Sequence, residues 1–600
     1  MTDVTARIDV RDLLSLHTWT VFDVDPDGRV LAGWDGPGSV QLVEIGADGD
    51  RRLLTDLPGA CSGRYVVGER AVVVEHDADG NERAQLSLLR LEPLPDRPAS
   101  LDGLEPLVRD PDAIHRLVDL LPGHVVYSTN RRNRVDFDVV VRELSSGAER
   151  TVYDGGGYVA EATASADRCA VTLFSQQPCS TQVLLSDDDG TREVTPADEH
   201  ALHQQVHLLD DGSLVLSSNS GREMAAVVRL TVYGTRTTLV ESDEHDLHPV
   251  VAPDGRTMLV VTGVDGGHEI ALHGIDGGSR RPVSLDARGV CTAVWSADSR
   301  WLAIGLVSPT RPGDVLLLDA ASADLRTLVD GTEQLVPAVA AALVEPSSHR
   351  IPARDGESIP CFVYSPASPA DNAAGSVVVN VHGGPEAQAR RVFNPVVQAL
   401  VAAGHIVLVP NVRGSTGYGK RWYSLDDVRL RLESVADLAD LRAWVPDVGG
   451  DPERVALYGG SYGGYMVLAG LSMQPELWAA GVDVVGMSSL VTFLENTSAY
   501  RRASREREYG RLDEDRDFLE EASPLAHLDA MVAPLFVIHG ANDPRVPLTE
   551  SEQIKAALDA KGVPCTLLVY PDEGHGLAKR RNRLDAYPQV IEFLQEQLRR

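Results

Sequence analysis

Three residues carry the chemistry of this 600-residue chain, and each sits in a short run that suits a particular role. Ser461 lies in Gly459-Gly-Ser-Tyr-Gly-Gly464, directly after the β-rich run Val455-Ala-Leu-Tyr458 and before a helical Val-Leu-Ala-Gly-Leu. That is Gly-x-Ser-x-Gly between a strand and a helix. The serine must sit in a strained turn with its hydroxyl at the tip, and the glycines let neighbouring backbone pass close by. The helix behind it points its positive end at developing negative charge.

A serine hydroxyl needs a base, and the base needs an orienting acid. The order expected in a fold of this kind is Ser, then Asp or Glu, then His. Asp543 follows the strand-like Leu535-Phe-Val-Ile-His-Gly540, and His575 follows Thr566-Leu-Leu-Val-Tyr570. Both lie just past the carboxyl end of a strand, the edge at which sites form in parallel sheets. His539 competes as base but falls inside its strand, where a core role suits it. Asp572 and Glu573 compete as acid but adjoin His575, and a separate loop holds an imidazole better. The triad read from the sequence is Ser461, Asp543 and His575. Its oxyanion hole needs two backbone N–H groups. Tyr462, the residue after the nucleophile, is one donor. The loop His382-Gly-Gly-Pro385 after the run 376–381 supplies the other, assigned to Gly384.

These residues need a parallel sheet to place them. From about residue 353 the chain alternates apolar, β-branched runs (376–381, 405–409, 454–458, 481–485, 535–539, 566–570) with helical patterns (433–445, 550–561, 586–598). Strands without polar alternation, separated by helices, predict a mostly parallel, doubly wound sheet covered on both faces.

The first half behaves differently. A turn with Asp, Gly or Ser recurs, each followed at once by a short β-rich run: at Gly28, Gly63, Gly123, Arg168, Gly212, Gly255 and Ser299. The last three steps are 44, 43 and 44 residues, and the earlier ones are ragged at 35, 60 and 45. A period of roughly 40 to 45 residues fits one four-stranded propeller blade. Seven units between about residues 17 and 335 predict a seven-bladed β-propeller. A sandwich or two small β-domains would use similar turns. The expected domains are 1–345 and 346–600, with residues 1–15 free to pack on either.

Composition sets limits on partners. With 55 Lys and Arg against 88 Asp and Glu, the net charge is −33. Phosphate contacts need cations, so the chain is a poor candidate for binding nucleic acid and none is expected as a partner, and anionic membrane surfaces are disfavoured. The start of the chain lacks the apolar core of a secretory signal, and the small-apolar run 335–344 is broken by Pro337 and too short for a bilayer. The six cysteines are scattered with no close pair, so neither a zinc site nor a redox pair is indicated. The expected setting is cytoplasmic, with reduced thiols and no metal or organic cofactor.

At this point the residues carry a resemblance. His382-Gly-Gly-Pro385, Asn411-Val-Arg-Gly-Ser-Thr-Gly-Tyr-Gly419, Gly459-Gly-Ser-Tyr-Gly-Gly-Tyr465, His539-Gly-Ala-Asn-Asp-Pro-Arg-Val-Pro547 and Tyr570-Pro-Asp-Glu-Gly-His-Gly576 resemble the prolyl oligopeptidase family of serine peptidases, nearest its acylaminoacyl-peptidase and dipeptidyl-aminopeptidase branch. The resemblance implies a propeller capping an α/β-hydrolase domain and an enzyme acting on short peptides. It implies that Arg545 hydrogen-bonds the carbonyl of the residue second upstream of the cleaved bond. It also implies an apolar pocket lined from 485–493, with Val485, Leu490 (where relatives often carry Trp) and Phe493 (where some carry Tyr). One departure is Asn411-Val-Arg413, where the family commonly has Asn-Pro-Arg. This Gly-rich loop lacks Gly-Lys-Ser, so it reads as support behind the site rather than a phosphate cradle. Relatives range from monomers to larger assemblies, so a homo-oligomer is compatible. A carboxylesterase would use the same triad, and a propeller scaffold with a dead hydrolase is the alternative of another class. The net charge predicts that strongly acidic peptides are repelled from the entrance, and that salt relieves this.

Overall fold

The computed structural model describes residues 8–165, 167–233, 235–367 and 373–599. Seven four-stranded antiparallel sheets follow one another along the chain, at 19–53, 61–108, 115–153, 159–193, 203–240, 247–283 and 290–329. They are the blades of a β-propeller. The repeated turns use positive φ, as at Gly28 (79°), Gly212 (81°) and Gly255 (64°), and Ser299 adopts the same geometry (62°) without being glycine. Among the described residues no strand crosses from the last blade to the first. The ring closes by packing instead. Trp19 and Val21 of the first blade share a core with Trp301, Ala303 and Val315 of the last, and the Trp301 indole N–H donates to Pro26 O (3.2 Å).

The second half is one eight-stranded mixed sheet. Its strands are β1 (Ser347–Pro352), β2 (Ser358–Tyr364), β3 (Val377–Val381), β4 (Ile406–Pro410), β5 (Val455–Gly460), β6 (Ala480–Val484), β7 (Leu535–Gly540) and β8 (Cys565–Tyr570). The spatial order is β1-β2-β4-β3-β5-β6-β7-β8, parallel from β4 onward. The reversal of direction along the sheet at β3 is the switch point where such sheets place their sites. Both faces are buried. One apolar cluster joins Val379, Leu408 and Leu457 to Leu438 and Met466, and the other joins Val378, Val407 and Ala456 to Leu400 and Val590.

The described chain starts on this second half. Helix α1 (Val10–Leu14) is capped by Asp9, whose carboxylate accepts the Arg11 N–H (2.9 Å). Leu13 and Leu14 pack with Val396 and Leu400 of α2 (Pro395–Ala402), and with residues of the C-terminal helix. The chain thus leaves the hydrolase, builds the propeller, and returns. All six cysteines are free, and five are buried. No helix among the described residues is long and apolar enough to cross a membrane.

Candidate active site

β5 ends in a sharp turn at Ser461, which holds φ 57° and ψ −118° at the N-cap of α4 (Tyr462–Met473). The Ser461 N–H is tied to Val484 O (2.8 Å) on β6, and its carbonyl accepts the Tyr465 N–H (3.0 Å). Backbone closes in from both sides. A Cβ on Gly459 would lie 2.3 Å from Gly463 O, and one on Gly463 would lie 2.1 Å from Val381 O, so neither position tolerates a side chain. The Tyr462 N–H opens α4 and has no carbonyl one turn back within the helix. Gly383 follows β3 and lies beside Ser461: a Cβ there would be 3.4 Å from Ser461 Cβ. Gly384 takes φ 141°, in the region reserved for glycine.

The Gly-rich loop 411–419 holds this segment. Asn411 Oδ1 accepts the Ala389 N–H (2.7 Å), Thr416 N–H donates to Ala387 O (2.9 Å), and Ser415 Oγ lies 2.8 Å from His382 Nε2. Arg413 anchors the loop in turn, through Asp437 (2.9 Å) and Asp355 (2.6 Å).

Asp543 and His575 meet. His575 Nδ1 donates to Asp543 Oδ2 at 2.7 Å, while Asp543 Oδ1 accepts the N–H groups of Arg545 (2.8 Å) and Val546 (3.0 Å). The Asp543 carboxylate is fully shielded from solvent. This fixes the tautomer that leaves His575 Nε2 free to take a proton. The Ser461 hydroxyl makes no hydrogen bond within the described residues. Such contacts tighten when substrate binds.

The rivals are engaged elsewhere. His539 is buried in β7, its Nε2 donating to Val546 O (3.0 Å) and its Nδ1 accepting from Ser551 Oγ (2.7 Å). Burial lowers its pKa, so it stays neutral and braces the Asp543 loop. Glu573 accepts the Ala578 and Lys579 N–H groups (3.0 and 2.9 Å) at the start of α8 (Arg580–Gln597). Asp572 is paired with Lys579 (2.9 Å).

The expected pocket residues divide. Val485 follows β6 at φ 51°, buried beneath the site. Leu490 and Phe493 lie on α5 (Leu490–Asn496), inside the hydrophobic core with Tyr462, and Phe493 meets the Tyr509 ring edge-on at 5.8 Å. Arg545 is held by the propeller: its Nε donates to Glu82 Oε1 at 2.5 Å.

Sequence reading missed Glu82, Glu386 and the arginines of α6 (Ala499–Tyr509). Glu386 directly follows His382-Gly-Gly-Pro385. It accepts the Cys179 N–H from the propeller (2.7 Å) and pairs with Arg507 (3.0 Å). Its place directly after the glycines expected to serve the oxyanion was the available signal. For α6 the signal was four arginines within seven residues, 501–507.

Beneath Ser461, Asp483 of β6 accepts the Gly486 N–H through Oδ1 (2.8 Å), while Oδ2 has no hydrogen-bond partner among the described residues. Burial pushes its carboxyl from 3.8 up to about 7. Between those values folding takes up a proton, so this group's contribution falls as pH rises and is most unfavourable above 7. Asp483→Asn mimics the protonated form. Its Tm gain over the native chain is expected to grow from pH 5 to pH 8, and a gain independent of pH would refute this origin.

A strained serine, a shielded Asp–His pair and two glycine-rich loops at one sheet edge, capped by a propeller, define a hydrolase of the serine-nucleophile class. Residues 391–600 match the family model described as prolyl oligopeptidase family. Dipeptidyl aminopeptidase BIII of Pseudoxanthomonas mexicana is 27% identical over 593 residues, covering 93% of this chain and 84% of that protein. Dipeptidyl peptidase family member 6 of Caenorhabditis elegans is 38% identical over 227 residues, 37% of this chain, which spans 31% of that longer protein. Among solved structures, a Mycobacterium tuberculosis puromycin-hydrolyzing peptidase superposes with TM-score 0.85 at 20% identity, over 98% of this chain and 96% of that one. Pyrococcus horikoshii acylaminoacyl peptidase gives 0.73 at 17%, over 98% and 97%. At these identities the structural likeness shows the shared fold.

Proposed function

We propose that the protein is a cytoplasmic serine peptidase that hydrolyses short peptides. The observation that carries this is the shielded Asp543–His575 hydrogen bond at the same sheet edge as the strained Ser461 turn. In this reading His575 Nε2 takes the proton as the Ser461 oxygen attacks the substrate carbonyl. The N–H groups of Tyr462 and Gly384 hold the oxyanion, and Asp543 stabilises the imidazolium. The amine leaves with the proton from His575, and water then hydrolyses the acyl-enzyme. Arg545 would grip the substrate backbone on the acyl side. The relative named dipeptidyl aminopeptidase BIII supports peptide substrates. The propeller over the site would keep folded proteins out.

A fluorophosphonate probe is expected to label the native chain and not Ser461→Ala. An aminoacyl p-nitroanilide is expected to be hydrolysed alongside a p-nitrophenyl ester of the same acyl group. Turnover of the ester alone would make the protein an esterase, and no labelling would make the hydrolase half inert.

A further inference from the structure

Helix α6 runs along the site. Its start is tied to the triad loop: Thr497 Oγ1 donates to Arg545 O (2.8 Å) and Ser498 Oγ to Pro544 O (2.7 Å). Its first turn is fixed against the propeller by Tyr500, whose ring meets Phe137 at 5.8 Å and Tyr158 at 6.3 Å. Its later part reaches Glu386, beside the oxyanion segment, through Arg507. Arg501 and Arg505, one turn apart, therefore lie between the Arg545 loop and Gly384.

The charges here do not balance. Arg545 is answered by Glu82, and Arg507 by Glu386. Among the described residues Arg505 has only that same Glu386, at 4.0 Å. The Arg501 guanidinium has no hydrogen bond or ion pair among the described residues. The nearby Asp426 and Glu508 are taken up by Arg431. Burial and the repulsion of Arg505 and Arg545 both act against the Arg501 charge. A largely buried cation without a partner is costly, and a carboxylate arriving in the site removes that cost.

We propose that Arg501 and Arg505 form a carboxylate-binding subsite on the acyl side of the cleaved bond, selecting peptides with Asp or Glu among the two residues upstream of it. The proximity to Arg545 sets the side, so this rests on the peptidase reading. It also revises the expectation drawn from net charge. The overall field repels acidic peptides at long range, but the site itself presents guanidinium groups at contact range, where salt screens less.

The test uses the full-length protein and two readouts. N-acetyl-Ala-Glu-amide, N-acetyl-Ala-Gln-amide and N-acetyl-Ala-Gln with a free carboxyl terminus compete with fluorophosphonate labelling, and the matching Glu and Gln p-nitroanilides report kcat/KM. The Glu amide is expected to protect at about tenfold lower concentration than the Gln amide, with a similar ratio in kcat/KM. Arg501→Gln and Arg505→Gln should each bring both ratios toward one, with continued fluorophosphonate labelling showing that the variants are folded. Equal protection by Glu and Gln, or ratios unchanged in both variants, would overturn the proposal. Best protection by the free carboxyl terminus would move the carboxylate off the side chain and overturn it too. Discrimination by Arg501 without hydrolysis of either p-nitroanilide would support the subsite and sink the peptidase reading instead.

Discussion

Asn in place of Asp543 is expected to lower kcat for a peptide p-nitroanilide about ten-thousand-fold, with KM and Tm little changed. The argument is one of tautomers. Asp543 uses its two oxygens differently: Oδ1 receives the Arg545 and Val546 N–H groups, and Oδ2 receives His575 Nδ1–H. An asparagine keeps its oxygen on the two backbone donors, since turning it would bring N–H against N–H. Its amide then presents a donor to His575 Nδ1. The imidazole must place its proton on Nε2, the atom that accepts the serine proton in the proposed mechanism. Binding contacts are untouched, so the loss falls on kcat. A loss of tenfold or less would mean that another acid orients His575. The two available acids are committed. Glu573 accepts two backbone N–H groups, and salt bridges to Lys579 and Arg581 help hold the Asp572 carboxyl down at about 2.

What the sequence disclosed about this site was local or periodic. The Ser461 turn is fully encoded in six consecutive residues, because the close approaches that demand glycine at 459 and 463 occur within that turn and its neighbouring strand. The last four blades showed themselves through nearly equal steps. The second blade blurred the period because its outer strand is reached only after the connection 91–104. The C-terminal helix starts at Arg580, before the apolar pattern at 586 revealed it. Its charged first turn is held by the propeller, with Arg583 paired to Asp35 at 2.8 Å. Contacts of that kind were illegible. Glu82 and Arg545 are 463 residues apart, and Glu386 and Cys179 are 207 apart, so neither spacing nor period could join them. Leu490 and Phe493 were legible as apolar, yet apolar type alone does not separate a pocket wall from the core in which the structure buries them.

The propeller loop that carries Glu82 reaches further into the proposed active site than a cap needs to. Asp79 O accepts from the Asn542 side chain (3.1 Å), one residue before Asp543, and Asp79 Oδ1 pairs with Lys579 (2.9 Å). Between them Gly80 lies backbone to backbone against Gly574, the residue before His575. A Cβ on Gly80 would stand 2.6 Å from Gly574 N and 3.0 Å from its Cα. Backbone cannot yield there without moving the histidine loop. Gly80→Ala is therefore expected to lower kcat about a hundredfold, the scale of loss for a catalytic group displaced by an ångström. The substitution also strains its own φ of 76°, which could lower stability wherever it occurred. Gly68 separates the two effects. It sits in another turn of the same blade at φ 79°, with nothing within 4 Å of an added Cβ. Gly68→Ala should share the stability cost, read as Tm, and keep full kcat. Equal kcat in the two variants would show that His575 is positioned by its own domain alone; a loss confined to Gly80→Ala makes the propeller part of what holds the base in place.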